Sequence, residues 1–100
     1  MTQIEIGRYA EDFSGLNRTT PLIRDAGIRA FLLHLRAGEE MPEHQVKGPI
    51  TVHCLQGSVL FRTGTEDAEL MSGSLISLAG GVPHSLSARR GSLLLVTVCE

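Results

Sequence analysis

His44-Gln45-Val46-Lys47-Gly48-Pro49-Ile50-Thr51-Val52-His53-Cys54-Leu55-Gln56-Gly57 is the stretch on which the fold turns. A histidine precedes a Gly-Pro kink, and an apolar run from Pro49 to Leu55 then reads as a strand. Side chains alternate along a strand, so Ile50, Val52 and Cys54 share one face while Thr51, His53 and Leu55 share the other. Gln56-Gly57 predicts a tight hairpin into a second strand, Ser58 to Thr63, where Val59 and Phe61 point the same way. A further histidine comes at the end of Gly80-Gly81-Val82-Pro83-His84. From there His84, Leu86 and Ala88 alternate with Ser85, Ser87 and Arg89, which sends the serines to water and His84 inward. A closed fold would therefore bring His44 and His84 together in its interior.

The same pattern of short apolar runs between glycines extends through the chain. Thr19 to Arg24 and Ile28 to Arg36 read as strands around the turn Asp25-Ala26-Gly27. The second has Phe31, Leu33 and Leu35 on one face and Ile28, Ala30, Leu32, His34 and Arg36 on the other. Both faces are substantially apolar, so both are expected to be covered, the second by another subunit, with His34 at the contact. Ala37 to Glu43 reads as a loop, and Ala68 to Met71, Leu75 to Leu78 and Ser92 to Cys99 read as strands. Residues 1–17 are polar, with a short helical turn from Tyr9 to Phe13. Many short strands with hardly any helix imply an all-β sandwich or barrel.

A chain of 100 residues, 42% of them apolar, predicts one globular domain over residues 1–100. A net charge of -2, with Arg89-Arg90 as the one adjacent basic pair, gives no electrostatic footprint for nucleic acid. No apolar run approaches the roughly 18 residues of a membrane span, and the first residues lack the basic start and apolar centre of a secretory signal. Cys54 and Cys99 form neither a disulfide framework nor a CxxC pair. These features predict a cytoplasmic protein with reduced thiols, no nucleic-acid partner and no membrane partner.

Gly38, His44 and the strand ending at Gly57 resemble the first cupin motif (residues 38–57). Gly73 followed by Ala79-Gly80-Gly81-Val82-Pro83-His84 resembles the second (residues 73–88). The resemblance implies a small single-domain cupin, a double-stranded β-helix or jelly-roll barrel. It also implies a metal site built from two histidines at alternate positions, a glutamate on the next strand and a histidine from the second motif. Carried over to this chain, the first and last of these are His44 and His84, while Val46 and Ile50 hold the other two places. Ala79 and Ala88 stand where the family has a proline and an asparagine. The first metal motif is thus degenerate.

Two functional readings follow. In one, His44 and His84 hold a divalent transition metal (Fe, Mn, Ni or Zn), with His53 or Glu43 as lesser candidates to complete the set. The ion would serve an enzyme acting on a small organic substrate. In the other, the chain is a non-catalytic cupin that binds or senses a small molecule without metal. Either way the pocket is expected to be apolar and lined by Val46, Ile50, Val52, Cys54, Phe61 and Leu86, with a homodimer as the assembly. Parity turns His53 away from the interior, and a buried cysteine such as Cys54 is usually a small hydrophobe.

Overall fold

The computed structural model describes residues 1–100 as one short helix and seven strands. In chain order these are α1 (Ile6–Glu11), β1 (Thr19–Asp25), β2 (Ile28–Leu35), β3 (Glu40–His44), β4 (Ile50–Thr63), β5 (Asp67–Met71), β6 (Leu75–Leu78) and β7 (His84–Cys99). All the strand pairs are antiparallel. The order is β1-β2-β7-β4-β5, with β3 also on β7 and β6 also on β4.

The two long strands make this a jelly-roll barrel, because each serves both layers. The first half of β4 pairs with β6 and with Leu95 to Val98 of β7, while its second half pairs with β5 and with the beginning of β7. Between the halves the register slips from Cys54 to Val59. The hairpin expected at Gln56-Gly57 is therefore a bend inside one strand. The reason is local. Gly57 has φ +110°, and a Cβ there would collide with the Ser92 side chain and lie 2.7 Å from the Gly91 carbonyl oxygen. Ser92, fully buried, ties the two bends together: its hydroxyl donates to the Arg90 carbonyl (2.7 Å) and accepts from the Ser58 N–H (3.0 Å). Arg89-Arg90 is correspondingly an exposed corner within β7.

The core is aliphatic and draws on every strand except β1, β3 and β6 for its buried members. Leu33 and Leu35 of β2 meet Ile50, Val52, Cys54, Val59 and Phe61 of β4 and Leu94, Val96 and Val98 of β7. Each such side chain, fully buried, stabilises the fold by roughly 1.5–3 kcal/mol. The inward parity read from the sequence holds at all of these β4 positions and at His84, Leu86 and Ala88.

Besides the bend at Gln56-Gly57, and the helix, which spans Ile6–Glu11 rather than Tyr9 to Phe13, two further features differ from the sequence reading. Residues 40–44 form an edge strand rather than a loop, pairing Glu40 with Ser87, Met41 with Leu86 and His44 with His84 across a bulge. Pro42 lacks a backbone donor and is compatible with an edge. The second difference concerns the outer face of β2, where Ala30, Leu32 and His34 are buried within the chain. His34 donates from Nδ1 to the Leu16 carbonyl (2.9 Å) and meets the Phe13 ring edge-on, with centroids 5.4 Å apart. The Gln56 side chain donates to the Ala10 carbonyl (2.7 Å) at the end of α1. At His34 the chain itself thus covers the position where a subunit contact had been expected, while Ile28 and Arg36 at the two ends of that face are exposed. No helix is long and apolar enough to cross a membrane.

Candidate functional site

His44 and His84 come together because β3 and β7 pair them directly across the ladder. Their ring centroids lie 4.3 Å apart, with planes tilted by 59°. Both imidazoles are held the same way, each by a backbone carbonyl two residues earlier. His44 Nδ1 lies 3.1 Å from the Pro42 oxygen, and His84 Nδ1 lies 2.9 Å from the Val82 oxygen. A carbonyl can only accept, so both Nδ1 atoms carry the proton. In the neutral rings the lone pair is then on Nε2 at both residues.

The two rings sit in different surroundings. His84 is buried at 3% exposure and stacks on Phe61, with centroids 5.3 Å apart and planes within 12°. His44 is exposed and marks the mouth of the barrel. Burial pushes the His84 pKa below the usual histidine value; the Val82 hydrogen bond opposes this, and the nearby His44 adds to it. Burial therefore favours the neutral ring of His84, which can accept a hydrogen bond or a proton at Nε2.

The loops behind the pair are built around a close approach. The Gly81 N–H donates to the Val46 carbonyl (2.7 Å), and a Cβ on Gly80 would collide with the Lys47 carbonyl oxygen. This contact seats the segment after His44 against the segment before His84. It explains Gly80 on steric grounds, whereas Gly81 has open space around it and is required by its φ of +80°.

Ile50, Val52, Cys54, Phe61 and Leu86, read from sequence as pocket lining, are buried in the packed core, with Val46 half-buried against it. The cavity beside His44 is about 330 Å³ in volume and is lined by Arg18, Met41, Pro42, Glu43 and His44, but not by His84. Glu43 is thus next to His44 but exposed, and His53 lies on the outer face of β4 opposite Leu75 and Leu95, away from the pair. Cys54 is fully buried, and burial pushes its thiol pKa up, with Arg90 opposing, so it packs as a small apolar group. Arg18 and Met41 border the site without having been singled out in the sequence. Met41 was hidden by the reading of 37–43 as a loop, and Arg18 reaches it through an ion pair with Glu39 at 3.1 Å.

The chain shares its architecture with many solved structures. A cupin-2 domain protein from Shewanella frigidimarina matches with a TM-score of 0.78 over 97% of this chain and 94% of its own, at 14% identity. The fold is that of a small cupin. The Thermus thermophilus protein TT1209 superposes on this cupin barrel with a TM-score of 0.80, covering 99% of this chain and 98% of its own at 25% identity. A salicylate 1,2-dioxygenase from Pseudoaminobacter salicylatoxidans contains a similar barrel: TM-score 0.69, 23% identity, 73% of this chain and 20% of that one. No family model and no curated protein sequence matches the chain.

Members of the cupin superfamily often hold a metal, so the donor set of this barrel is the relevant test. Nowhere do three or more His, Cys, Asp or Glu side chains cluster as an ion would require. The pair contributes two imidazole nitrogens, and Val46 and Ile50 offer no lone pair. All-protein sites usually supply at least three ligands. The residues present do not fit a metal ion held by protein ligands alone.

Proposed function

We propose that this cupin binds a small organic molecule at the barrel mouth, through His44 and His84, without a resident metal. The observation that carries this reading is the shared hydrogen-bonding state of the two rings. Each Nδ1 proton is committed to a backbone carbonyl, so each neutral ring presents Nε2 as an acceptor. A ligand bearing a hydroxyl, amide or protonated amine would supply the donor. His44 contacts it from the solvent side, in the cavity shared with Arg18, Met41 and Glu43, and His84, paired with His44 across the ladder, is the inner acceptor once the ligand passes the His44 ring.

The competing reading is a divalent ion on both imidazoles, completed by water and by a bound substrate, in an enzyme. Its specific support is the 4.3 Å separation of the rings. A thermal-shift screen of small alcohols, amides and amines decides between the two. It would use the protein with and without chelator, beside the His44→Ala, His84→Ala double variant. Stabilisation that survives the chelator and disappears in the double variant is expected. Stabilisation that requires added metal would establish the competing reading, and stabilisation retained by the double variant would remove both.

A further inference from the structure

A second site lies between β1 and β2, away from the histidines. The hairpin Thr19–Asp25 and Ile28–Leu35 places Arg24 and Arg29 as direct cross-strand partners. Like charges opposite one another destabilise a strand pair, and little here offsets them. Arg24 makes no ion pair. The Nε of Arg29 is buried and has no hydrogen-bond partner. The nearest carboxylate oxygen, from Glu100, lies 3.6 Å from it, beyond hydrogen-bond reach. An unsatisfied buried donor is costly and favours any acceptor that can reach it.

Both arginines border a cavity of about 250 Å³ whose walls also include Thr19, Pro21, Ile23 and Phe31. The Arg29 guanidinium carbon stands 5.5 Å from the centroid of the Phe31 ring. The site thus joins an apolar wall to two cationic groups and one hydroxyl. None of its residues belongs to the His44–His84 mouth.

We infer that this cavity binds a small monocarboxylate with a compact apolar body, the carboxylate between Arg24 and Arg29 and the body against Phe31, Pro21 and Ile23. A carboxylate in the cavity relieves the repulsion between the two guanidiniums that border it, and drawing the Arg29 side chain toward it would give the buried Nε an acceptor. Arginine is suited to this, because its planar fork matches a carboxylate through two parallel hydrogen bonds. The apolar wall selects against fully hydrated inorganic anions. The carboxylate competes with Glu100 for Arg29, so binding displaces a weak contact.

Amide NMR titrations of the full chain with hexanoate and with its uncharged analogue hexanamide test the assignment. Saturable shifts confined to Thr19–Arg24 and Arg29–Phe31 are expected with hexanoate and none with hexanamide. Binding should weaken at least about tenfold in Arg29→Gln, the loss of one charged hydrogen bond, and should weaken also in Arg24→Gln. Circular dichroism of both variants confirms that they are folded. Linear, unsaturable shifts, equal binding of the amide, unchanged affinity in both folded variants, or shifts centred on His44 and His84 would each overturn the proposal.

Discussion

Two histidines in this barrel are buried to nearly the same degree, yet they occupy opposite kinds of place. His34 and His84 are 4% and 3% exposed, and each lies 2.9 Å from a backbone carbonyl through Nδ1 and beside a phenylalanine ring. His34 lies on the outer face, where the chain's own N-terminal segment closes over it and Phe13 meets its ring edge-on. His84 lies on the inner face, and its open side leads to a second imidazole that is exposed to solvent. Burial and hydrogen bonding alone do not separate His34 from the histidine proposed to bind. The difference is the neighbour of the ring: Phe13 and the Leu16 carbonyl of the N-terminal segment beside His34, and a second imidazole, His44, beside His84.

The largest expected effect comes from uncovering His34. Phe13→Ala should destabilise the fold by about 2 kcal/mol, less than for a fully buried phenylalanine because Phe13 is only half-buried. Urea unfolding measures it. Ligand binding at the barrel mouth should be unchanged, which would separate the two histidines functionally.

Next comes the response to acid. The folded-state pKa of His84 is depressed below its ordinary 6.5, so the unfolded chain takes up a proton first as the pH falls. His84 therefore contributes stability above about pH 6.5 that is lost progressively below it, down through its folded pKa. Thermal melts from pH 8 to pH 5 should show this loss, and His84→Leu should flatten that part of the profile. An unchanged slope in a folded His84→Leu would mean that His84 is not the group being titrated.

The smallest expected effect on stability is that of His44→Ala. His44 is exposed, and its removal should change unfolding free energy by no more than about 0.5 kcal/mol. It should nevertheless abolish stabilisation by the organic ligand. It should also raise the His84 pKa in a proton NMR titration, because the nearby His44 charge is one of the influences lowering it.

Much of the inner side of this comparison was legible in the sequence. Strand parity placed Ile50, Val52, Cys54, His84 and Leu86 inward and turned His53 outward, because burial of one face imposes a period of two. The strand pattern left a sandwich or a barrel open, and the resemblance of the segments around His44 and His84 to the two cupin motifs implied the barrel. The outer side was not legible. Phe13 and Leu16 anchor a mostly polar segment at irregular spacing, and only the tertiary fold shows that they lie over His34. Gly57 read as a hairpin because a positive-φ glycine serves a turn and an intrastrand bend equally well; the Ser92 hydroxyl that selects the bend is far away in sequence. The edge strand at residues 40–44 was obscured by Pro42 and its acidic neighbours, and pairing with β7 overrides their local preference. The filled interior also escaped the sequence, since the same apolar residues line a pocket or pack a core depending on how closely the two layers approach.

The central claim is that His44 and His84 form a binding pair that holds no resident metal. Elemental analysis of the protein purified without chelator, beside the His44→Ala, His84→Ala double variant, tests it most directly. Far less than one equivalent of any transition metal, equal in the two proteins, is the predicted result. Close to one equivalent in the unaltered chain, lost in the double variant, would contradict it.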